Sequence, residues 1–142
     1  MTRLTLDQAN QIIAAAFDKG QELDLKPLSV AVLDAGGHMI AFQRQNGAST
    51  LRPQIATAKA AGALALGVSS RKINDMAIDR PTFVASLGSI APHGIVPVAG
   101  GIIVVDQESL PIGAVGVTGD TSDNDEACAL VGIAAAGLTA QV

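Results

Sequence analysis

The chain has no tryptophan and no tyrosine, and three phenylalanines are its only aromatic residues. It therefore offers no stacking platform for single-stranded nucleic acid. Nine Lys and Arg stand against thirteen Asp and Glu, a net charge of −4, so the basic footprint that a phosphate backbone demands is missing as well. A single cysteine, Cys128, excludes an intramolecular disulfide and a cysteine-rich zinc site, and it fits a reducing compartment. There is no 18-residue apolar run, and the opening MTRLTLDQANQ has no apolar leader core. The expectation is a cytoplasmic protein with neither membrane nor nucleic-acid partners. Only 15% of the 142 residues are charged, while 49% are apolar. Ala and Gly supply much of that apolar share, which predicts close approach between backbones. The length predicts one domain, 1–142, large enough to bury a core without covalent staples.

What the chain does have is a repeated phrase. Val30–Gln45 reads VAVLDAGGHMIAFQRQ, two apolar runs about a Gly36–Gly37 turn. Ile102–Val117 reads IIVVDQESLPIGAVGV, and a gapless overlay puts Asp34 on Asp106 and Ile40 on Ile112. Each reads as a β-hairpin. Either the two descend from one unit, or two tight hairpins share a grammar, and the second explanation asks less.

Around them the helical signals are clear. Thr5 and Gln8 form a capping box, and Ala9, Ile12, Ile13, Ala16 and Phe17 recur at helical spacing, which predicts a helix from about Leu6 to about Leu23. Strands are expected over Leu28–Asp34 and His38–Gln45. Pro53 in a first turn opens a helix that ends near Gly67, and Ser69–Asp79 carries a further short one. Arg80–Pro97, with three prolines, reads as an irregular stretch and a candidate lid or pocket wall. Strands follow at Ile102–Asp106 and Pro111–Val117. A last helix starts in TSDNDE, with Ser122 or Asp123 as its cap, and runs to about Leu138. Hairpins force antiparallel pairing, so the class is α+β, with a central antiparallel sheet built from two hairpins and covered by about four helices. Strands one and three are apolar at both parities, so both faces of the sheet must be covered, by helices or by another subunit. A homo-oligomer, dimer or higher, is the expectation. Gly113, Gly116 and Gly119 lie along a strand and read as places of close packing rather than as a phosphate loop.

The phrase VAVLDAGGHMIAFQRQNGAS, the small-residue helix IATAKAAGA and the tail GGIIVVD…PIGAVGVTGDTSDNDEACALVGIAAAG, taken in order, resemble the GlcG/HbpS family, the heme-degrading-domain family. The resemblance runs from about Val30 to Gly137. It implies an α+β domain that assembles into dimers or larger oligomers, and heme or a related tetrapyrrole as a ligand. The family's roles are heterogeneous. They include a secreted heme-binding protein, a heme-binding domain attached to a corrinoid adenosyltransferase, and proteins encoded among small-molecule catabolic genes.

The candidate chemistry sits on few residues. His38 follows the glycine pair at a strand start, where an imidazole can ligate heme iron or shuttle protons. Asp34 can cap the turn or fix the tautomer of His38. His93, in APHGIVP, is the only other histidine and a second candidate heme ligand. Met39, Met76 and Cys128 are the remaining soft donors, although Met is commonly a core filler and free Cys a small buried residue. Lys59 is the only charge between Arg52 and Arg71. Such a cation can reach a substrate carboxylate or a heme propionate, or act as a base once desolvated. Arg44 and Arg80 are candidate carboxylate binders, and Glu126 a candidate pocket carboxylate. The acidic run Asp120, Asp123, Asp125 and Glu126 suits a helix N-terminus; it lacks the spacing of a calcium loop, so no metal site is expected. Two functions follow. One is a small-molecule-binding oligomer for heme or a related tetrapyrrole. The other is a cofactor-independent lyase or isomerase that uses His38, Asp34 and Lys59 as acids and bases on a small polar compound.

Overall fold

The computed structural model describes residues 3–142. Helix α1 spans Leu6–Glu22, with the Thr5–Gln8 capping box formed. Strands β1 (Ser29–Asp34) and β2 (Met39–Arg44) make the first hairpin. Helix α2 (Arg52–Leu66) opens on Pro53 and closes on Gly67, whose φ of 75° makes it a left-handed cap. Helix α3 (Ser70–Asp79) is capped by Ser69. Strands β3 (Gly101–Val105) and β4 (Pro111–Thr118) make the second hairpin, and α5 covers Ser122–Ala135. The sheet is antiparallel throughout, in the order β2-β1-β4-β3-β5. The class is α+β, as expected.

Four details differ from the expectation. The stretch Arg80–Pro97 is not irregular throughout: Pro81, with its φ preset, opens a helix α4 over Pro81–Leu87. Among the described residues five helices therefore stand where about four were expected. The cap of α5 is Thr121, whose hydroxyl accepts the Asn124 N–H, rather than Ser122 or Asp123. A two-residue strand β5 (Thr139–Ala140) pairs with β3 beyond that helix.

The two-parity strands are buried as predicted, and the cover comes from the chain itself. On one face Val30, Val32, Ile102, Val104, Val115 and Val117 pack with Ile12 and Ile13 of α1 and Cys128, Ala129 and Ile133 of α5. On the other, Leu33 and Ala114 meet Ala60 of α2, and Ile103 and Val105 meet Ala63. The molecule is a three-layer sandwich. Small residues set the distance between layers: a Cβ on Gly116 would fall 2.0 Å from the carbonyl oxygen of Ala56, so α2 lies directly on the sheet backbone.

Candidate functional site between two matching turns

The repeated phrase folds as a repeated turn. Asp34 Oδ1 accepts the N–H groups of Gly36 and His38, each at 2.9 Å. Asp106 Oδ1 accepts those of Glu108 (2.8 Å) and Leu110 (2.9 Å). The third residue after each aspartate has positive φ, Gly37 at 85° and Ser109 at 63°. The sixth is an isoleucine inserted as a β-bulge. Ile40 falls between the pairs Val32↔Ala41 and Leu33↔Met39, and Ile112 between Val104↔Gly113 and Val105↔Pro111. In the order β2-β1-β4-β3 the second hairpin is the first displaced by two strands, so both turns lie at the same end of the sheet.

A cavity of about 700 Å³ lies between these turns. Its apolar wall includes both bulge isoleucines, with Leu4 and Leu110; its polar rim carries His38, Asp34, Asp106 and Arg3. The His38 ring folds back over its own turn and brings Nδ1 to 3.2 Å from Asp34 Oδ1. His38 is 81% exposed and Asp34 44%. The Asp34 carboxyl is held below its ordinary value, chiefly by the backbone N–H of His38, then that of Gly36 and the ring itself. Asp34 thus caps the turn and also lies against the imidazole. Among the described residues Nε2 has no hydrogen-bond partner.

The other sequence candidates lie elsewhere. His93 lines a different cavity of about 410 Å³ with Pro53, Gln54, Thr57 and Pro92, so the two histidines are not brought to one ligand. Arg44 lines a third hollow beside Phe17 and Gln21. Arg80 stands over the Phe83 ring at 4.2 Å. Glu126 takes the Arg71 Nε at 3.0 Å, and Asp123 takes the same guanidinium. Met39 is 48% exposed rather than a core filler. Cys128 is fully buried, and burial pushes its thiol up to about 11, which removes it as a nucleophile or ligand at neutral pH.

Lys59 does reach a buried anion, and that anion is Asp125. Nζ lies 3.2 Å from Asp125 Oδ2 and donates to the Val117 carbonyl at 2.9 Å, while Asp125 Oδ1 accepts the Asp120 N–H at 3.0 Å. Both side chains are 2% exposed. Burial pushes the Lys59 amine down and the Asp125 carboxyl up, each against the pull of its partner. The pair joins α2 to α5 from opposite faces of the sheet. It passes Gly100, where a Cβ would lie 2.8 Å from Nζ. Sequence reasoning placed Asp125 among the helix-start carboxylates and missed this contact. A signal was present: Asp125, Cys128, Ala129, Gly132 and Ile133 recur at helical spacing, which puts the carboxylate on the buried stripe of α5.

The model of the haem degrading protein HbpS-like family matches residues 4–134. The chain belongs to that family. Among solved structures similar to this HbpS-like chain, Klebsiella pneumoniae protein ORFY has a TM-score of 0.85 at 27% identity, over 96% of this chain and 93% of that one. A double mutant of Streptomyces reticuli HbpS has a TM-score of 0.80 at 27% identity, over 94% and 87%. The PduOC:heme complex has a TM-score of 0.87 over 99% and 100%; its 24% identity shows the shared fold. No curated protein matches the sequence. Among the described residues no helix is long and apolar enough to cross a membrane, and no group of His, Cys, Asp and Glu is arranged to hold a metal ion.

Proposed function

We propose that this HbpS-like chain binds heme or a related tetrapyrrole in the cavity between the two turns, where His38 Nε2 would be the nitrogen offered to the iron. One observation carries the reading: a histidine with Nδ1 at a carboxylate and Nε2 free stands on the rim of an apolar-walled cavity of about 700 Å³. The volume falls within the ordinary range for small-molecule sites, roughly 300–1,000 Å³. The residues present suit the group: Leu4, Ile40, Leu110 and Ile112 offer an apolar wall for a macrocycle, and Arg3 offers a cation for a propionate. Membership of a haem degrading family supports the same ligand, and so does a protein of the same fold, PduOC, solved as a heme complex. Bound heme supplies iron-centred redox chemistry. The chain itself would donate the imidazole, fix its orientation through Asp34 and offer the apolar wall.

The His38–Asp34 pair also favours a second reading, general acid–base chemistry on a small polar compound, worth about 10²–10⁴-fold in rate. Neither reading draws on Lys59, whose Nζ is held by Asp125 and the Val117 carbonyl. Self-association belongs to the proposal too. The sheet faces need no second chain, and the exposed apolar side chains that could meet one include Ile78 and Ile90, each 77% exposed, and Leu51 at 61%. A cytoplasmic setting suits the single buried thiol.

Titration of the purified protein with hemin, followed in the Soret region, tests the ligand. A saturable shift that is lost in His38→Ala and kept in His93→Ala is the expected result. No saturable shift, or one unchanged in His38→Ala, rejects His38 ligation and leaves the acid–base reading to be pursued with small carboxylic acids.

A further inference from the structure

The two matching turns differ where it matters most. Two residues after the aspartate stands Gly36 in one and Glu108 in the other. Both donate the same hydrogen bond to the same kind of oxygen. Glu108 demonstrates that this turn accepts a side chain at that position, and Gly36 is not among the residues with positive φ. The backbone therefore does not require glycine there. His38 does. A Cβ on Gly36 would lie 2.9 Å from its Cε1 and 3.0 Å from its Nδ1. The ring rests on the space that the missing side chain leaves, and in that seat Nδ1 lies 3.2 Å from Asp34 Oδ1. The other turn has no such ring, since Leu110 occupies the position of His38, and it carries no glycine.

We infer that Gly36 and Asp34 are positioning residues for His38: Gly36 seats the imidazole, and Asp34 takes its Nδ1–H and leaves the Nε2 lone pair as the free donor. A neutral histidine has one N–H and one lone pair, and a hydrogen bond at one nitrogen decides which atom is which. A carboxylate behind a ligating histidine also raises its basicity, and loss of such a partner costs about 10- to 100-fold in metal affinity. The inference deepens the heme proposal and rests on it only for what Nε2 meets.

The test reads the ring before any ligand is added. Ring ¹⁵N shifts of His38 are compared in ligand-free wild type, Gly36→Ala, Gly36→Glu and Asp34→Asn, above the titration of the imidazole. The wild type should hold the Nδ1–H tautomer. Both Gly36 variants should keep the wild-type melting temperature and move toward the Nε2–H tautomer that prevails in free histidine. Asp34→Asn, which can still accept both backbone N–H groups, should lose part of the Nδ1–H preference. Hemin affinity should fall in the same order, by about 10- to 100-fold in the Gly36 variants. A wild-type ring already in the Nε2–H form, or Gly36 variants that retain Nδ1–H, overturns the inference. Wild type that fails to bind hemin while the Gly36 variants still switch tautomer overturns the heme proposal and supports the positioning.

Discussion

Two acid–base pairs sit at opposite ends of the same sheet, each 3.2 Å across. At the turn end, His38 and Asp34 stand in water. At the far end, Lys59 and Asp125 are sealed among three layers. Equal distance gives unequal chemistry, because solvent decides what a charge can do. The exposed pair keeps one nitrogen available for a ligand and contributes little to stability. The buried pair has committed its donors and acceptors to the fold, and burial drives both of its groups toward their neutral forms. Conspicuous charge in a charge-poor chain thus marks two different things, and only exposure separates them.

Breaking the buried pair should give the largest effect. Lys59→Ala or Asp125→Ala each leaves an uncompensated charge inside the sheet, and each should lose about 3–5 kcal/mol of stability by urea unfolding. Lys59→Met with Asp125→Leu should recover most of that, since apolar replacement of both partners is often neutral or better. The hemin spectrum of the double variant should match the wild type; a changed spectrum would bring Lys59 back toward the ligand.

The next comparison sets one turn against the other. Asp34→Ala and Asp106→Ala each remove an acceptor of two backbone N–H groups, and each should cost about 1–2 kcal/mol. Only Asp34→Ala should also weaken hemin binding. If both do so, the second turn contributes more than a wall.

The smallest effect is in acid. Asp120 is held down at about 2 by the Asn124 side chain and by the Lys26 and Thr121 N–H groups, against an ordinary 3.8. A folded value below the unfolded one adds stability that is complete above 3.8 and is lost as pH falls toward 2. Asp34 is shifted in the same direction. Asp120→Asn should flatten the acid limb of the stability curve in that window by lowering stability at neutral pH, with little change near pH 2. An identical acid limb would mean that Asp120 keeps the same environment when unfolded.

Most of the fold was legible because it rests on local signals: a capping box at Thr5, prolines at helix starts, and apolar runs broken at Asp34 and Asp106. The overlay of the two phrases was legible residue by residue, down to the isoleucines that bulge. Helix α4 was not, because two prolines and two glycines nearby outweighed the one proline that begins a helix. The Asp34–His38 contact was readable from spacing within one hairpin. The cavity was not, since its walls come from Leu4, Ile40, Leu110 and Ile112, which meet only when β1 pairs with β4. The Lys59–Asp125 contact spans 66 positions, and no local pattern names a partner at that range.

The gap at Gly100 has a further consequence, for cooperativity. Because Lys59 passes there to meet Asp125, the α2 layer cannot lift from the sheet without stripping a charge from its partner on the other side. Separation of either helical layer is thereby coupled to the other, and intermediates with one layer open carry a buried charge with nothing to meet it. A fold assembled from two hairpins and two helical layers, which could come apart in pieces, is thus bound to open as a unit.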